Sequence, residues 1–260
     1  MLQTSFRSVS FSVLALTAAF ASGVVQAADW AGKGEAGLVI SNGNTNTKNA
    51  NAKLEVSSTT ENWKHTAGLA AIYAQDEDED TGEEETTGQR WQVYEQSDYN
   101  FSTRSFWFGA GRYENDRFSG FEYQATVSTG LGRHFIDNER TKLTATAGVG
   151  YKFFETRDTY DETGPVPVLT ALGESDNEGV FRGTLDLSHS LTDTTKLLDK
   201  LLVESGAENT AVQNDIGIQV KITDVLALSA AYSVRYNSDP PPGFGSTDTL
   251  TTLNLVYEIK

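Results

Sequence analysis

The sequence predicts an all-β protein, a single closed antiparallel transmembrane β-barrel of about twelve strands that follow one another as an up-and-down meander. Three observations lead to this prediction. An N-terminal segment has the features of an export signal, apolar residues then recur at every second position in long segments, and the connections between these segments alternate between short and long.

The first 27 residues resemble a signal peptide that is removed on export. Arg7 supplies a positive charge, residues 9–20 form a short apolar stretch, and Val25-Gln26-Ala27 resembles an A-x-A cleavage site. The alternative, a buried helix of a cytosolic fold, fits this order of features less well. We therefore expect two regions, a signal peptide over residues 1–27 and an outer-membrane barrel domain over residues 28–260.

Beyond the signal peptide, apolar residues alternate with polar ones, which is the period of a strand with one apolar face. Two examples are Leu143 to Phe153 and Leu226 to Tyr236. No segment shows a clear helical period, although Leu197-Leu198 and Leu201-Leu202 are ambiguous. The predicted strands cover residues 33–41, 47–57, 62–75, 89–101, 104–114, 121–135, 141–155, 179–190, 195–205, 211–222, 225–237 and 248–259.

Strand length and loop length both favour a membrane barrel. A tilted membrane-crossing strand needs roughly 9–11 residues, whereas strands of soluble proteins usually have about 5–6. Short polar turns alternate along the chain with longer, more polar connections, such as 76–88 and 156–178. This alternation is expected when consecutive hairpins have one periplasmic and one external end. An even strand number then places both termini on the side of the short turns.

The two faces of the predicted strands differ in polarity. Aliphatic residues lie on the outward face in mid-strand and aromatic residues near the strand ends, as in barrels with aromatic girdles. These outward aromatic residues are Trp63, Tyr73, Trp91, Phe101, Phe121, Phe153 and Tyr236. The opposite face would line a lumen, and its predicted charged residues are Lys53, Glu55, Lys152, Arg182, Asp186, Asp215, Lys221 and Arg235. Glu95 is an exception, because the predicted register turns it toward lipid.

A barrel of about twelve strands is intermediate between filled eight-stranded barrels and open porins. The lumen charges could therefore pair and close the bore, or line a narrow passage. Mid-strand glycines, for example Gly68, Gly130 and Gly132, indicate sharp bends or close approaches of the chain.

Composition excludes several classes of protein. The formal net charge of −16 argues against nucleic acid as a partner, because phosphate contacts need clustered Lys and Arg. The chain has no cysteine, which excludes disulfides, thiol catalysis, thiolate metal sites and a lipoprotein anchor. No apolar run of about 20 residues, the length of a membrane-spanning helix, follows residue 30.

Residues 30–260 resemble a known family. The shared residues occur in the same order along the chain, and they are Trp30-x-Gly32, Glu35-Ala36-Gly37-Leu38, Ser41-Asn42-Gly43-Asn44-Thr45, Tyr99-x-Phe101, Arg104-x-Phe106-x-Phe108, Glu114-x-Asp116, Gly130-Leu131-Gly132, Pro240-Pro241, Thr247-Asp248 and Leu255-Val256-Tyr257. The chain is similar to the YdiY-like salt-induced outer-membrane proteins of Gram-negative bacteria, the domain of unknown function 481 family. This resemblance implies an outer-membrane barrel linked to salt stress, with no established biochemical activity.

One acidic loop is a weak candidate for cation binding. Oxygen-rich clusters suit calcium or magnesium, but the spacing here does not fit an EF-hand. A mobile, hydrated external loop is the simpler interpretation. Its carboxylates are Asp76, Glu77, Asp78, Glu79, Asp80, Glu83, Glu84 and Glu85.

The sequence shows no arrangement typical of an enzyme. His65, His134 and His189 each lie near a strand end beside a short turn, and no serine nucleophile is evident beside His134. We therefore expect no catalysis and no cofactor. The remote alternative is an outer-membrane hydrolase.

The main functional hypothesis is an outer-membrane barrel that acts as a narrow channel or a structural protein, with a link to salt or osmotic stress that the family resemblance implies. Its partners would be outer-membrane lipid and the barrel insertion machinery, although the chain ends in Ile259-Lys260 rather than in the usual terminal aromatic residue. The alternative is a soluble secreted β-sandwich that binds a ligand. The oligomeric state stays open.

Overall fold

The computed structural model describes residues 28–41, 47–77, 84–117, 119–161, 168–241 and 244–259. The predicted signal peptide, residues 1–27, lies outside these residues. None of the described segments forms a helix with the length and apolar character that a membrane crossing would need.

The described chain consists of strands and their connections. Two short strands, β8 (Thr159–Asp161) and β9 (Val168–Ala171), pair only with each other. The remaining twelve are β1 (Asp29–Ser41), β2 (Thr47–Thr59), β3 (Trp63–Glu77), β4 (Glu84–Asn100), β5 (Ser105–Asp116), β6 (Phe121–Asp137), β7 (Thr141–Thr156), β10 (Ser175–Ser190), β11 (Thr195–Ser205), β12 (Thr210–Lys221), β13 (Leu226–Asn237) and β14 (Thr247–Ile259).

These twelve strands form one closed antiparallel barrel in sequence order, and β1 pairs with β14 to complete it. The predicted fold class is therefore confirmed. The ambiguous leucine segment is strand β11, with the predicted bounds 195–205. The main differences in strand bounds are that β1 begins at Asp29 rather than residue 33, β4 at Glu84 rather than residue 89, and β10 at Ser175 rather than residue 179. The predicted loop 156–178 also contains the β8–β9 hairpin.

The alternation predicted from the sequence separates two surfaces of the barrel wall. Val127 and Leu255 point outward and are 57% and 51% exposed, while their neighbours Thr126 and Asn254 point inward and are buried. An isolated sheet in water would not expose its aliphatic side chains and bury its polar ones. The outer surface is therefore the side that lipid covers.

Phe121 differs from its predicted outward position. Its side chain is only 4% exposed and packs edge-on against Phe154 inside the barrel. The reason is a β-bulge between Phe121 and Tyr123, which shifts the register against β7. A bulge places one extra residue in a strand, so the side chain beyond it points to the opposite face.

Two phenylalanines fill part of the inner surface. Phe106 and Phe108 of β5 are 2% and 0% exposed. The ring of Phe106 lies flat on Gly132 of the neighbouring strand β6, where an added Cβ would lie 2.1 Å from its Cζ atom. The glycine is thus required because the ring occupies the space of a side chain.

We predict that Gly132→Val destabilises the barrel by about 1–3 kcal/mol, the usual cost of overpacking a filled site. Gly179→Val is the matched control, because Gly179 faces outward on β10 and an added Cβ there meets nothing within 4 Å. Urea unfolding in lipid vesicles, followed by tryptophan fluorescence, measures both changes. Equal losses of stability in the two variants would contradict this account of the Phe106–Gly132 contact.

Candidate functional site in the barrel lumen

Most of the predicted lumen charges lie on the inner surface. Lys53 and Glu55 lie on β2 between outward-facing Ala52, Leu54 and Val56. The same alternation places Lys152, Arg182, Asp186, Asp215 and Arg235 inside. Lys221 differs, because it is the last residue of β12 and its Nζ pairs with Asp224 of the adjoining turn, 2.7 Å away. Lys221 therefore belongs to the rim of the barrel.

An external cluster of five charged residues crosses the bore near the end with the longer connections. Its members are Arg112 and Glu114 of β5, Arg182 of β10, Glu204 of β11 and Arg235 of β13. Arg235 Nη1 lies 2.6 Å from Glu114 Oε1, and Arg112 Nη2 lies 2.6 Å from Glu204 Oε2. Arg112 Nη1 also lies 3.5 Å from Glu114 Oε2, so one guanidinium joins both carboxylates.

One of these ion pairs connects opposite walls of the barrel. Strands β5 and β13 are separated by six steps in the ring of twelve, so the Arg235–Glu114 pair spans the full width of the lumen. Glu114 and Glu204 are only 4% and 3% exposed. At this level, paired side chains occupy the bore, and the carboxylates are almost completely buried.

A middle cluster lies further toward the end with the short turns and is more hydrated. Lys200 Nζ of β11 lies 3.5 Å from Asp186 Oδ2 of β10 and 3.9 Å from Glu55 Oε2 of β2. The side chains of Lys200 and Asp186 are 53% and 51% exposed. Tyr94 donates a hydrogen bond of 2.5 Å to Glu55 Oε2, with its ring lying over Gly68. Water therefore reaches the lumen below the external cluster.

Side chains also cross the seam between the first and last strands. Asn51 of β2 donates a hydrogen bond of 2.9 Å to Asn254 of β14. This bond passes over Gly37 of β1, where an added Cβ would lie 2.3 Å from the Asn254 oxygen. Gly37 thus allows two strands that are not neighbours to bond directly.

The connection between β13 and β14 reaches across the external mouth. We call its described residues, 238–241 and 244–246, the external strap. Pro241 and Phe244 pack against Gly120 between β5 and β6, on the far side of the ring. Gly120 has a φ of +77°, and an added Cβ would lie 2.8 Å from Phe244 Cδ2 and from Pro241 Cγ. Only glycine fits this contact without strain.

A vestibule lies between the external strap and the external cluster. It has an empty volume of about 690 Å³, which includes open solvent, and its lining includes Arg112, Glu114, Arg235, Pro240 and Ser246. The external strap thus lies on one side of the vestibule, and the external cluster lies on the other.

The acidic loop and the histidines do not form a metal site in the described part of the chain. Asp78, Glu79, Asp80 and Glu83 lie outside the described residues. Asp76 accepts a hydrogen bond from Thr87, and Glu84 pairs with Lys48. Among the residues that the structure places, no three His, Asp or Glu side chains are arranged to hold a metal ion.

The three histidines have separate partners. His134 bonds Thr144 on the inner surface, and His189 bonds Thr141 on the outer surface. His65 bonds Ser97, which in turn donates to Glu95, and all three side chains face outward.

Several residues of the two clusters were missed in the sequence analysis, namely Arg112, Glu114, Glu204, Lys200 and Tyr94. The alternation of β5 could have predicted that Arg112 and Glu114 face the lumen, because they lie on the face opposite Trp107 and Tyr113. The sequence of β11 does not alternate between polar and apolar residues, because Leu198 and Leu202 share the inner face with Lys200 and Glu204. The inner face of this strand could therefore not be assigned from the sequence.

We predict that Glu114→Gln destabilises the barrel by about 3–5 kcal/mol, because in this largely buried layer Arg235 loses its carboxylate partner and Arg112 keeps only Glu204. Asp186→Asn, in the hydrated middle cluster, should cost only about 0–1 kcal/mol. Urea unfolding in vesicles compares the two isosteric changes. A larger loss for Asp186→Asn would contradict the assignment of the dry and wet layers.

Comparison with known proteins agrees with the fold. A family model described as "Protein of unknown function, DUF481" matches residues 34–259. The chain is 27% identical over 230 residues to "Uncharacterized protein YdiY" of Escherichia coli (strain K12), covering 86% of this chain and 81% of that protein.

Solved outer-membrane barrels share the architecture. The translocator domain of autotransporter NalP from Neisseria meningitidis matches with a TM-score of 0.51 and 13% identity, over 88% of this chain and 87% of that chain. The NanC porin matches with a TM-score of 0.45 and 11% identity, over 88% and 98% of the two chains. The chain is a bacterial outer-membrane β-barrel, and it belongs to the DUF481 family of proteins of unknown function.

Proposed function

We propose that this protein is a narrow outer-membrane channel whose bore is closed by the external cluster and covered by the external strap. The observation that carries the proposal is the Arg235–Glu114 ion pair of 2.6 Å, which joins opposite walls of the lumen. A barrier made of side chains opens by rotation about side-chain bonds, without unfolding any part of the wall.

The hydrated middle cluster supports a channel more than a filled barrel. Lys200 and Asp186 are each about half exposed inside the wall, so the lumen holds water on one side of the barrier. The vestibule provides space on the other side. A structural barrel without transport is the alternative, and it would have no need for water on both sides of a single ion-paired layer.

The proposal includes no catalysis. Among the residues that the structure describes, Ser97 contacts both a histidine and a carboxylate, because it lies between His65 and Glu95. In a hydrolase of the serine type the imidazole lies between the serine and the carboxylate, so that it takes the proton of the nucleophile. The order here is therefore wrong for this mechanism. Lipid or ester turnover by the purified protein would contradict the proposal.

We predict that the double variant Glu114→Ala with Arg235→Ala raises single-channel conductance several-fold in planar bilayers. Removing both partners opens the bore without leaving an unpaired charge. Lys221→Ala is the control, because it removes a cation of the rim and leaves the external cluster intact. If the wild type and both variants show no conductance, the channel proposal is wrong and the protein is a structural barrel.

We predict that displacing the external strap also increases the fraction of time that the channel is open. Gly120→Ala places a methyl group 2.8 Å from the strap atoms and adds strain at a positive φ. Phe244→Ala removes the Phe244 part of this contact while leaving the backbone of Gly120 unchanged, so it separates loss of the contact from backbone strain. Unchanged gating in both variants would show that the strap is no part of the barrier.

A link to salt or osmotic stress forms the remaining part of the proposal. A side-chain barrier would limit passive ion flow across the outer membrane, and dry ion pairs are screened by salt much less than exposed ones. A deletion strain should therefore grow more slowly at raised sodium chloride. Wild-type protein should restore its growth, and the Glu114→Ala, Arg235→Ala double variant should not.

A further inference from the structure

Glu95 is a carboxylate on the lipid-facing wall, midway between two aromatic residues of its own strand. Trp91 and Tyr99 lie four residues before and after it on β4, face outward, and are 46% and 40% exposed. Aromatic side chains mark the two membrane interfaces of a barrel. Glu95, with its side chain 52% exposed, therefore lies near the middle of the apolar belt.

The chain itself provides only part of the hydrogen bonding that this carboxyl group needs. Ser97 donates to Glu95 Oε1 at 2.6 Å, and His65 Nδ1 lies 4.0 Å from the same oxygen. Among the residues that the structure describes, Oε2 has no hydrogen-bond partner. An ionisable group inside a membrane is costly and marks a functional site by default.

The surface around Glu95 is unusually open. We define the Glu95 patch as Ala67, Glu95, Ser97, Gly109 and Gly111. Ala67 and Gly111 lie directly opposite Glu95 on the two neighbouring strands, and Gly109 lies opposite Ser97. An added Cβ on Gly109 or Gly111 would meet nothing within 4 Å. Small residues of this kind allow another protein to approach closely within a membrane.

We propose that the Glu95 patch is the interface of a homodimer, with a second copy of this chain as its partner. Two copies inserted in the same direction are related by a twofold axis along the membrane normal, so equivalent residues meet at equal depth. Glu95 then faces Glu95. A carboxyl group that holds a proton both donates and accepts, and it is therefore complementary to a copy of itself.

Asp199 of β11 is another outward carboxylate of the described wall, but its surroundings differ from those of Glu95. It accepts a hydrogen bond of 2.7 Å from Asn214 of β12, and the residues directly opposite it are the bulky Leu187 and Ile216 rather than glycine and alanine. The Glu95 patch thus combines an unfilled hydrogen-bonding capacity with a depression at the depth where water and lipid headgroups are absent.

Single-cysteine crosslinking tests the proposal cleanly, because the chain has no cysteine of its own. Gly111→Cys should form a disulfide-linked dimer in native outer membranes under mild oxidation. Ala230→Cys is the matched control, since Ala230 faces outward on β13, on the opposite wall. A monomeric Gly111→Cys protein, or equal crosslinking at both positions, would overturn the proposal.

Substitution of Glu95 in the Gly111→Cys background provides the second test. Glu95→Leu should reduce the crosslinked fraction several-fold, whereas Glu95→Gln, whose amide also donates and accepts, should retain most of it. Heat-modifiable migration on gels verifies that each variant is folded. Equal crosslinking by folded Glu95→Leu would show that the carboxyl group has no part in association.

Discussion

The closed ladder of backbone hydrogen bonds is the constraint on which the rest of this structure depends. In hydrocarbon no water replaces a lost partner, so a sheet edge within the membrane is not tolerated. The twelve strands satisfy this requirement by joining β1 to β14. That seam has five paired residues on each strand, whereas β1 and β2 share thirteen, and the Asn51–Asn254 bond continues the connection above Gly37. Side chains thus supplement backbone pairing where it is shortest.

Closure of the barrel determines which side chains of the inner face can contact one another. It places a polar surface inside a tube in which long side chains from opposite walls meet. Where guanidinium and carboxylate groups meet, as in the Arg235–Glu114 pair, they span the bore and bury the carboxylate. Where the charged side chains are shorter or more widely spaced, as around Lys200, they remain about half exposed. The wet and dry layers therefore follow from side-chain length and position on the same wall.

The wall was predictable from the sequence because it depends on local periodicity. Most strand bounds, the polar face and the outward position of Glu95 follow from a two-residue period. Phe121 could not be predicted, because a bulge reverses its side without changing the pattern of its neighbours. Ion pairs across the lumen could not be predicted either. Glu114 and Arg235 are 121 residues apart in sequence, and their contact depends on the tilt and stagger of the strands. The contact of Phe244 with Gly120 also joins residues that are far apart in sequence, so no local pattern could predict it.

The same constraint explains why Glu95 differs from the carboxylates of the lumen. Glu55, Glu114 and Glu204 each have a cation within 4.0 Å, and the closed wall separates them from lipid. Glu95 has a serine hydroxyl and a more distant imidazole. Between the aromatic belts neither water nor lipid headgroups are available to complete its hydrogen bonding. The missing partner must then come from another protein surface at the same depth, and a barrel wall of glycine and alanine is one that a second wall can approach.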